Sequence, residues 1–264
     1  MPNSPWVPSG VDTKTPSAAR LYDYYLGGTH NFAADRELAQ RIYEVFPQMP
    51  YLARVNRDFL RRAVRYLSQQ GIRQFVDIGC GLPTAGPVHE IAPQARVVYA
   101  DNEPVAVAHS EILLRDNERT TVLQADLGDP DGILDDDRTR SLLDFDQPVA
   151  ILMVAVMHFI SDERDPGGIL RSYRHRLKPD DYLVFSHVSG DTLPNVEQAA
   201  KLYKNSQNPA YLRSYGEIAS MLSSFTLVEP GLVFVPEWHP DNPEDAEGAA
   251  DCSFYGAVGQ VPRA

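Results

Sequence analysis

From position 74 onward the chain switches regularly between short apolar runs and longer mixed stretches. The runs are Gln74–Ile78, Arg96–Ala100, Thr121–Gln124, Val149–Val154 and Tyr182–His187. Each has strand length and is nearly continuous in apolar character, which is the pattern of a strand covered on both faces. The stretches between them predict helices: one after Pro83, one over Pro104–Arg115 and one over Gly168–Leu177. Strands alternating with helices predict a mostly parallel sheet with helices on both sides. The alternation then stops. Phe225–Val228 and Phe254–Gly259 read as two further strands, separated by a Pro-rich loop over 236–251 and able to pair as a hairpin.

Before position 74 the pattern is helical. A helix is predicted from about Ser17 to the Gly27-Gly28 pair, since glycine accepts the left-handed conformation that ends a helix. A second starts after His30-Asn31, and a third spans about Leu52 to Gln70, with Gly71 as its stop. Residues 1–16 hold four prolines among Ser, Gly and Thr and read as a flexible or loosely docked tail. The division expected is therefore a tail over 1–16, a helical N-terminal extension over 17–70 and an α/β domain over 71–264, Rossmann-like in its alternation.

Candidate chemistry sits at the strand ends. The first run closes as Asp77-Ile78-Gly79-Cys80-Gly81-Leu82-Pro83-Thr84, the second as Asp101-Asn102, the third as Asp126-Leu127. Three successive strands ending in acids predict one pocket along the carboxyl edge of the sheet, where open α/β sheets bind nucleotide-like ligands. Gly79 permits a sharp turn and Gly81 a close backbone approach to a ligand. A dinucleotide site calls for a third glycine where Thr84 stands, and Asp77 would set negative charge beside the phosphates. Both features favour a ligand with a cationic group and no phosphate, and S-adenosylmethionine fits. Asp101 is suited to accept both ribose hydroxyls; equally, Asp101 or Asn102 suits the N-cap of the helix starting near Pro104. Asp126 is suited to an adenine amino group with Leu127 packed on the ring, or to a plain loop carboxylate.

Composition narrows the classes. The 264 residues carry 36 acidic and 24 basic side chains, a net charge of −12, which repels phosphate backbones and weighs against nucleic-acid partners. The one basic cluster, Arg54, Arg57, Arg61, Arg62 and Arg65, has helical spacing and reads first as a solvated helix face. No apolar run reaches membrane-spanning length, no amphipathic anchor stands out, and the first residues lack the features of a signal peptide, so a cytoplasmic protein without a membrane partner is expected. Two cysteines, Cys80 and Cys252, do not make a disulfide framework at this size. The seven histidines are scattered without metal-ligand spacing, and Asp135-Asp136-Asp137 lacks the alternation of a calcium loop, so no metal is expected. Neither a Gly-x-Ser-x-Gly elbow nor a Gly-Lys-Ser/Thr phosphate loop occurs.

Asp77-Ile78-Gly79-Cys80-Gly81, Asp101 and Asp126-Leu127 at this spacing resemble the class I S-adenosylmethionine-dependent methyltransferases. Three segments resemble, more narrowly, a bacterial family of S-adenosyl methyltransferases whose substrate is unassigned: Ala19 to Arg36, Asp77 to Thr84, and Val228 to Val233. This resemblance covers nearly the whole chain after residue 16. It implies a mostly parallel seven-stranded sheet ending in an antiparallel hairpin, S-adenosylmethionine as cofactor, and methyl transfer to a small-molecule acceptor that it does not identify. It also implies that the segment after the fourth strand, Val154 to Phe159, borders the transferring methyl. His158 is then a candidate general base, with His187 second; each also reads as a pocket wall or a structural histidine. The N-terminal motif reads as a lid, with Tyr25, Gly28 and Asn31 lining the pocket; the alternative is tyrosines packing the extension onto the sheet and Asn31 capping the next helix. Tyr203, Tyr211, Tyr215 and Trp238 are candidates for the acceptor pocket or for ordinary packing. Two other functions remain open: a non-catalytic S-adenosylmethionine-binding regulator and, against Asp77 and Thr84, an NAD-linked oxidoreductase. Oligomeric state is not legible.

Overall fold

The structure, a computed structural model, describes residues 11–83 and 86–263. Three helices come first: α1 (Ala18–Tyr25), α2 (Ala33–Val45) and α3 (Met49–Gln69). The Ser17 side chain accepts the Arg20 amide and caps α1, and the chain leaves that helix through Gly27 at φ 82°. The alternating part follows as β1 (Gln74–Ile78), α4 (Val88–Ile91), β2 (Arg96–Asp101), α5 (Pro104–Leu114), β3 (Thr120–Gln124), α6 (Pro130–Leu134), α7 (Asp137–Leu142), β4 (Ala150–Val154), α8 (Pro166–Arg176) and β5 (Tyr182–Val188). The chain ends through α9 (Val196–Tyr203), α10 (Tyr215–Met221), β6 (Thr226–Leu227), β7 (Val233–Phe234) and β8 (Phe254–Gln260).

The strands form one sheet in the order β3-β2-β1-β4-β5-β8-β6, with β7 also on β8. β1 to β5 are parallel and β8 is antiparallel to its neighbours. The sheet has eight strands where seven were expected, because the partner of β8 is split. β6 pairs at Gly259–Gln260 and β7 at Tyr255–Gly256, and Pro230-Gly231 interrupts the strand between them. Proline has no amide to give to the ladder. Two further departures have local causes. The helix expected after Pro83 is a single turn starting at Val88, since Pro87 and Gly86 (φ 66°) precede it. The stretch from Gly128 to Asp137, whose acids and glycines read as a loop, instead runs through one short helix into a second, and its aspartates do capping work: Asp129 accepts the Gly132 amide and Asp136 the Arg138 amide.

Alternate strand residues feed two cores. Phe75, Val97, Leu152 and Val184 face one side with Leu21, Ile42, Phe46, Phe59 and Leu67 of the N-terminal helices. Val76, Val98, Ile151 and Phe185 face the other with Leu170 and Tyr173 of α8 and Ile218 of α10. The N-terminal helices thus supply much of the core on one face of the sheet, together with residues such as Val88, Val196 and Trp238.

Candidate active site

The sheet order reverses between β1 and β4, and a deep cleft opens at the carboxyl ends of the strands there. At the end of β1, Gly79 has φ 69° and Gly81 φ 62°, both in the left-handed region. Their roles differ. A Cβ on Gly79 would lie 2.3 Å from Val156 Cγ2, so this glycine lets the loop pack on the segment after β4. A Cβ on Gly81 would meet nothing within 4 Å, and it would enter the cleft. Gly79→Ala is expected to cost about 2–5 kcal/mol, from left-handed backbone strain plus overpacking. Urea denaturation would check this, and a loss under 1 kcal/mol would contradict it. Cys80 lines the cleft with a buried thiol whose pKa burial drives well above its ordinary value, which disfavours the thiolate. Thr84 lies outside the described residues.

Asp77 lines the cleft at 5% exposure. Burial raises its pKa to about 7, with Arg57 pulling it down and Asp101 pushing it up; no hydrogen bond contributes. Asp101 closes β2. Its Oδ2 accepts the Gly81 amide at 2.8 Å and its Oδ1 the Glu103 amide at 2.9 Å. Burial raises its pKa, against the pull of those amides. Neither Asp101 nor Asn102 caps α5; Glu103 does, accepting the Ala106 amide. Asn102 is exposed on the cleft wall. Glu103 is itself held by the fully buried Arg20 of α1, which also binds Asp35 and the Thr15 carbonyl. The extension is therefore tied by ion pairs to the turn that carries Asp101.

Asp126 and Leu127, after β3, both line the cleft. Burial works to raise the Asp126 pKa, but the Arg164 guanidinium at 2.7 Å and the Gly128 amide together lower it. At the end of β4, Val154 and the following Ala155 line the cleft, and Ala155 has φ 56°, a strained value for a residue with a Cβ. A buried chain of hydrogen bonds holds it there. The Ala155 amide donates to Ser186 Oγ, Ser186 to Asn56 Oδ1, Asn56 Nδ2 to Tyr22 Oη, and Tyr22 to the Ala53 carbonyl. His158 lines the cleft at 6% exposure, and its Nδ1 has no hydrogen-bond partner. Burial, with His187 and Arg213 beside it, holds its pKa well below the ordinary value. His187 is structural. Arg213 donates to its Nε2, so its Nδ1 carries the proton and donates to the Val188 carbonyl. Burial lowers its pKa to about 3.

The N-terminal motif divides. Tyr25 lines the cleft and pairs its hydroxyl with that of Tyr203 at 3.0 Å. Gly28 and Asn31, expected in the lining, are not part of it. Asp23 draws them away: Asn31 Nδ2 donates to Asp23 Oδ2 and to the Gly28 carbonyl, and a Cβ on Gly28 would strike Asp23. Asn31 does not cap α2 either; Phe32 holds that position, its amide donating to Asp35. Among the aromatic candidates, Tyr203 lines the cleft, whereas Trp238 packs against Phe59 and Tyr66 in the core and Tyr215 is exposed.

The sequence reading missed Arg57 and Asn56. The basic cluster is a solvated face at Arg61 and Arg65, but Arg57 lines the cleft beside Asp77 and Arg62 is buried against the Val235 and Trp238 carbonyls. Asn56 carried a usable signal, a lone polar residue in the apolar stripe Leu52, Ala53, Leu60, Ala63 and Val64.

The fold is shared with solved structures of low identity. The N-methyltransferase NodS from Bradyrhizobium japonicum WM9, in complex with S-adenosylhomocysteine, superposes with TM-score 0.51 at 14% identity, over 92% of this chain and all 100% of its own. That likeness concerns the fold. Two others are much nearer. A DUF574 family protein from Streptomyces avermitilis MA-4680 is 39% identical, with TM-score 0.90 over 95% of this chain and 99% of its own. A candidate methyltransferase from Thermobifida fusca YX is 36% identical, with TM-score 0.91 over 98% of this chain and 100% of its own. No curated protein matches the chain. A family profile described as S-adenosyl methyltransferase matches residues 4–262, the whole of the sheet and the helices that wall its cleft, and the chain belongs to that family.

Proposed function

We propose that the protein transfers a methyl group from S-adenosylmethionine to a small-molecule acceptor, with the cofactor lying across the ends of β1, β2 and β3. One observation carries the placement. A buried carboxylate with no hydrogen bond among the described residues, Asp77, stands beside a cleft-lining guanidinium, Arg57, and together they complement the ammonium and carboxylate of the cofactor's amino acid end. Gly81 supports it, since its missing side chain leaves room for a ligand against the backbone. Asp101 offers lone pairs to the ribose hydroxyls, and Asp126 with Leu127 borders the base. A dinucleotide is disfavoured, because the one-turn α4 gives no helix N-terminus of the kind that receives a pyrophosphate.

Bound S-adenosylmethionine supplies a methyl group already activated by a positively charged sulfur. The chain's residues then align the acceptor, which supplies much of the rate. His158 would receive the proton that the acceptor gives up on taking the methyl group. The pKa of His158 lies well below its ordinary value, so it waits neutral with its lone pair available and releases the proton readily afterwards. Val154 and the strained Ala155 form the wall between cofactor and acceptor. Both thiols are free and buried, and among the described residues no helix is long and apolar enough to cross a membrane; a reducing cytoplasmic setting suits both facts.

Titration calorimetry with S-adenosylhomocysteine tests the placement. Asp77 must be ionised to hold the ammonium, and its pKa near 7 leaves most of the free protein protonated at pH 6. Affinity should therefore rise roughly eightfold from pH 6 to pH 7.5, the ratio of the ionised fractions. Asp77→Asn should bind more weakly and without that slope. The same raised pKa makes the opposite prediction for the free protein: stability falls as pH climbs from the unfolded value of about 3.9 toward 7. A folded protein that binds no S-adenosylhomocysteine at either pH would end this reading.

A further inference from the structure

The charges in the cleft gather toward the ends of β1, β2 and β3. Six charged side chains line the cleft: Arg57, Asp77, Asp101, Glu103, Asp126 and Arg164. All six are accounted for on the β1–β3 side. Arg57 stands beside Asp77, Asp101 holds the glycine loop, Glu103 is paired with Arg20, and Asp126 with Arg164. The other half lies over the ends of β4 and β5 and the start of β8, roofed by α3 and α9. It is walled by side chains such as Leu52, Val188, Val196, Ala199 and Phe254, all at least nine-tenths buried. Among the described residues the one charge at its border is the Arg57 guanidinium, which lies over the Tyr22 ring and stands beside Asp77.

Its polar groups are few and mostly spent. Asn56 and Tyr22 are committed to the hydrogen-bond chain that ends on Ala155. Two capacities remain. Neither ring nitrogen of His158 has a hydrogen-bond partner among the described residues; Nδ1 is sealed from the cleft, and the rest of the ring lines it. Tyr25 and Tyr203 bring two hydroxyl protons to one mutual hydrogen bond, so one O–H is left to donate elsewhere. A buried polar atom without a partner costs about 1–3 kcal/mol, so a ligand that meets it is favoured. A buried ion with no counter-charge costs several kcal/mol, so a charged ligand is rejected.

We infer that the methyl acceptor is an uncharged, largely apolar ring compound whose nucleophilic oxygen or nitrogen meets His158. This rests on the cofactor placement above. It narrows the acceptor to molecules such as neutral phenols and nitrogen heterocycles, and away from carboxylates, phosphates, ammonium compounds and polar chain ends of macromolecules. Methyl transfer to such an atom balances as described: the acceptor gains CH3, loses one proton to the imidazole, and the cofactor leaves as the neutral thioether.

The test uses three naphthalenes of matched size with the full-length protein at pH 7: 2-naphthol, 2-naphthoate and 2-naphthylmethylammonium. Each is titrated by calorimetry with and without saturating S-adenosylhomocysteine, whose own binding is measured first. Neutral 2-naphthol should bind at least about tenfold more tightly than either ion. His158→Phe should weaken 2-naphthol and leave naphthalene itself unchanged. Ala200→Phe, which fills the half-buried edge of the same chamber, should abolish 2-naphthol binding and keep that of S-adenosylhomocysteine. Equal or tighter binding of an ion, no binding of 2-naphthol, or indifference to Ala200→Phe overturns the inference while the cofactor reading stands. Failure of S-adenosylhomocysteine to bind removes the cofactor reading instead, and the acceptor role with it.

Discussion

Arg20→Met should lower the stability of the protein by about 3–5 kcal/mol, the usual loss when one partner of a buried ion network is removed. Arg20 is completely buried, with Nε on Asp35, Nη1 on Glu103 and Nη2 on the Thr15 carbonyl. Methionine fills much of the volume but leaves both carboxylates without their cation. Each keeps some support: Asp35 still accepts the Ser17 and Phe32 amides, and Glu103 the Ala106 amide. For a chain of this size the loss corresponds to a fall in Tm of roughly 10 °C. A functional effect should accompany it, since Glu103 shares its turn with Asp101 and donates its amide to that carboxylate. Cofactor affinity should fall even at temperatures where the variant is folded. Arg20→Lys should recover part of the stability, because the charge returns without the planar fork. A variant within 1 kcal/mol of wild type would show that the extension is held by its apolar contacts alone.

The second large effect is on binding. Asp101→Ala should raise the Kd for S-adenosylhomocysteine at least about 100-fold, the loss of two hydrogen bonds to a charged acceptor at about 1.5–3 kcal/mol each. Some of that loss reaches the cofactor through the loop, since Asp101 also fixes the Gly81 amide at 2.8 Å. Asp101→Asn separates the two contributions. It keeps the shape of the side chain and one acceptor oxygen, which can hold the Gly81 amide, while the charge is lost and the NH2 faces the Glu103 amide. An intermediate affinity for Asn, with a stability below wild type by about 1–3 kcal/mol for the unmet amide, is the expected result. Equal affinities for wild type and Asp101→Ala would move the ribose elsewhere in the cleft.

Most of the sheet was legible because its strands are buried on both faces. Such strands read as apolar runs with defined ends, and β1 lies where its run predicts, at Gln74–Ile78. The acids at the ends of β1, β2 and β3 were legible for a related reason: parallel strands in one sheet bring their carboxyl ends to the same edge. What misled was polar residues whose partners are remote in sequence. Asn31 and Gly28 look like pocket residues until Asp23, on the preceding helix, is seen to take the asparagine amide. His187 looks like a base until Arg213 occupies its Nε2. Arg57 looks like one of five surface arginines until α3 is laid along the cleft with Asp77 beneath it.

The sequence by itself determined the alternating architecture, the glycine loop and the row of strand-end acids, because burial on a sheet imposes a period and a parallel sheet imposes a common edge. Only the tertiary structure decided which polar groups are spent and which are available. The inventory of donors and acceptors is local to each residue, but their satisfaction depends on neighbours far along the chain, 130 positions away in the contact of Ser186 with Asn56 and 178 in that of Tyr25 with Tyr203. That accounting separates Asp77 and His158, which retain capacity for a ligand, from Asn31 and His187, whose capacity the fold has already used.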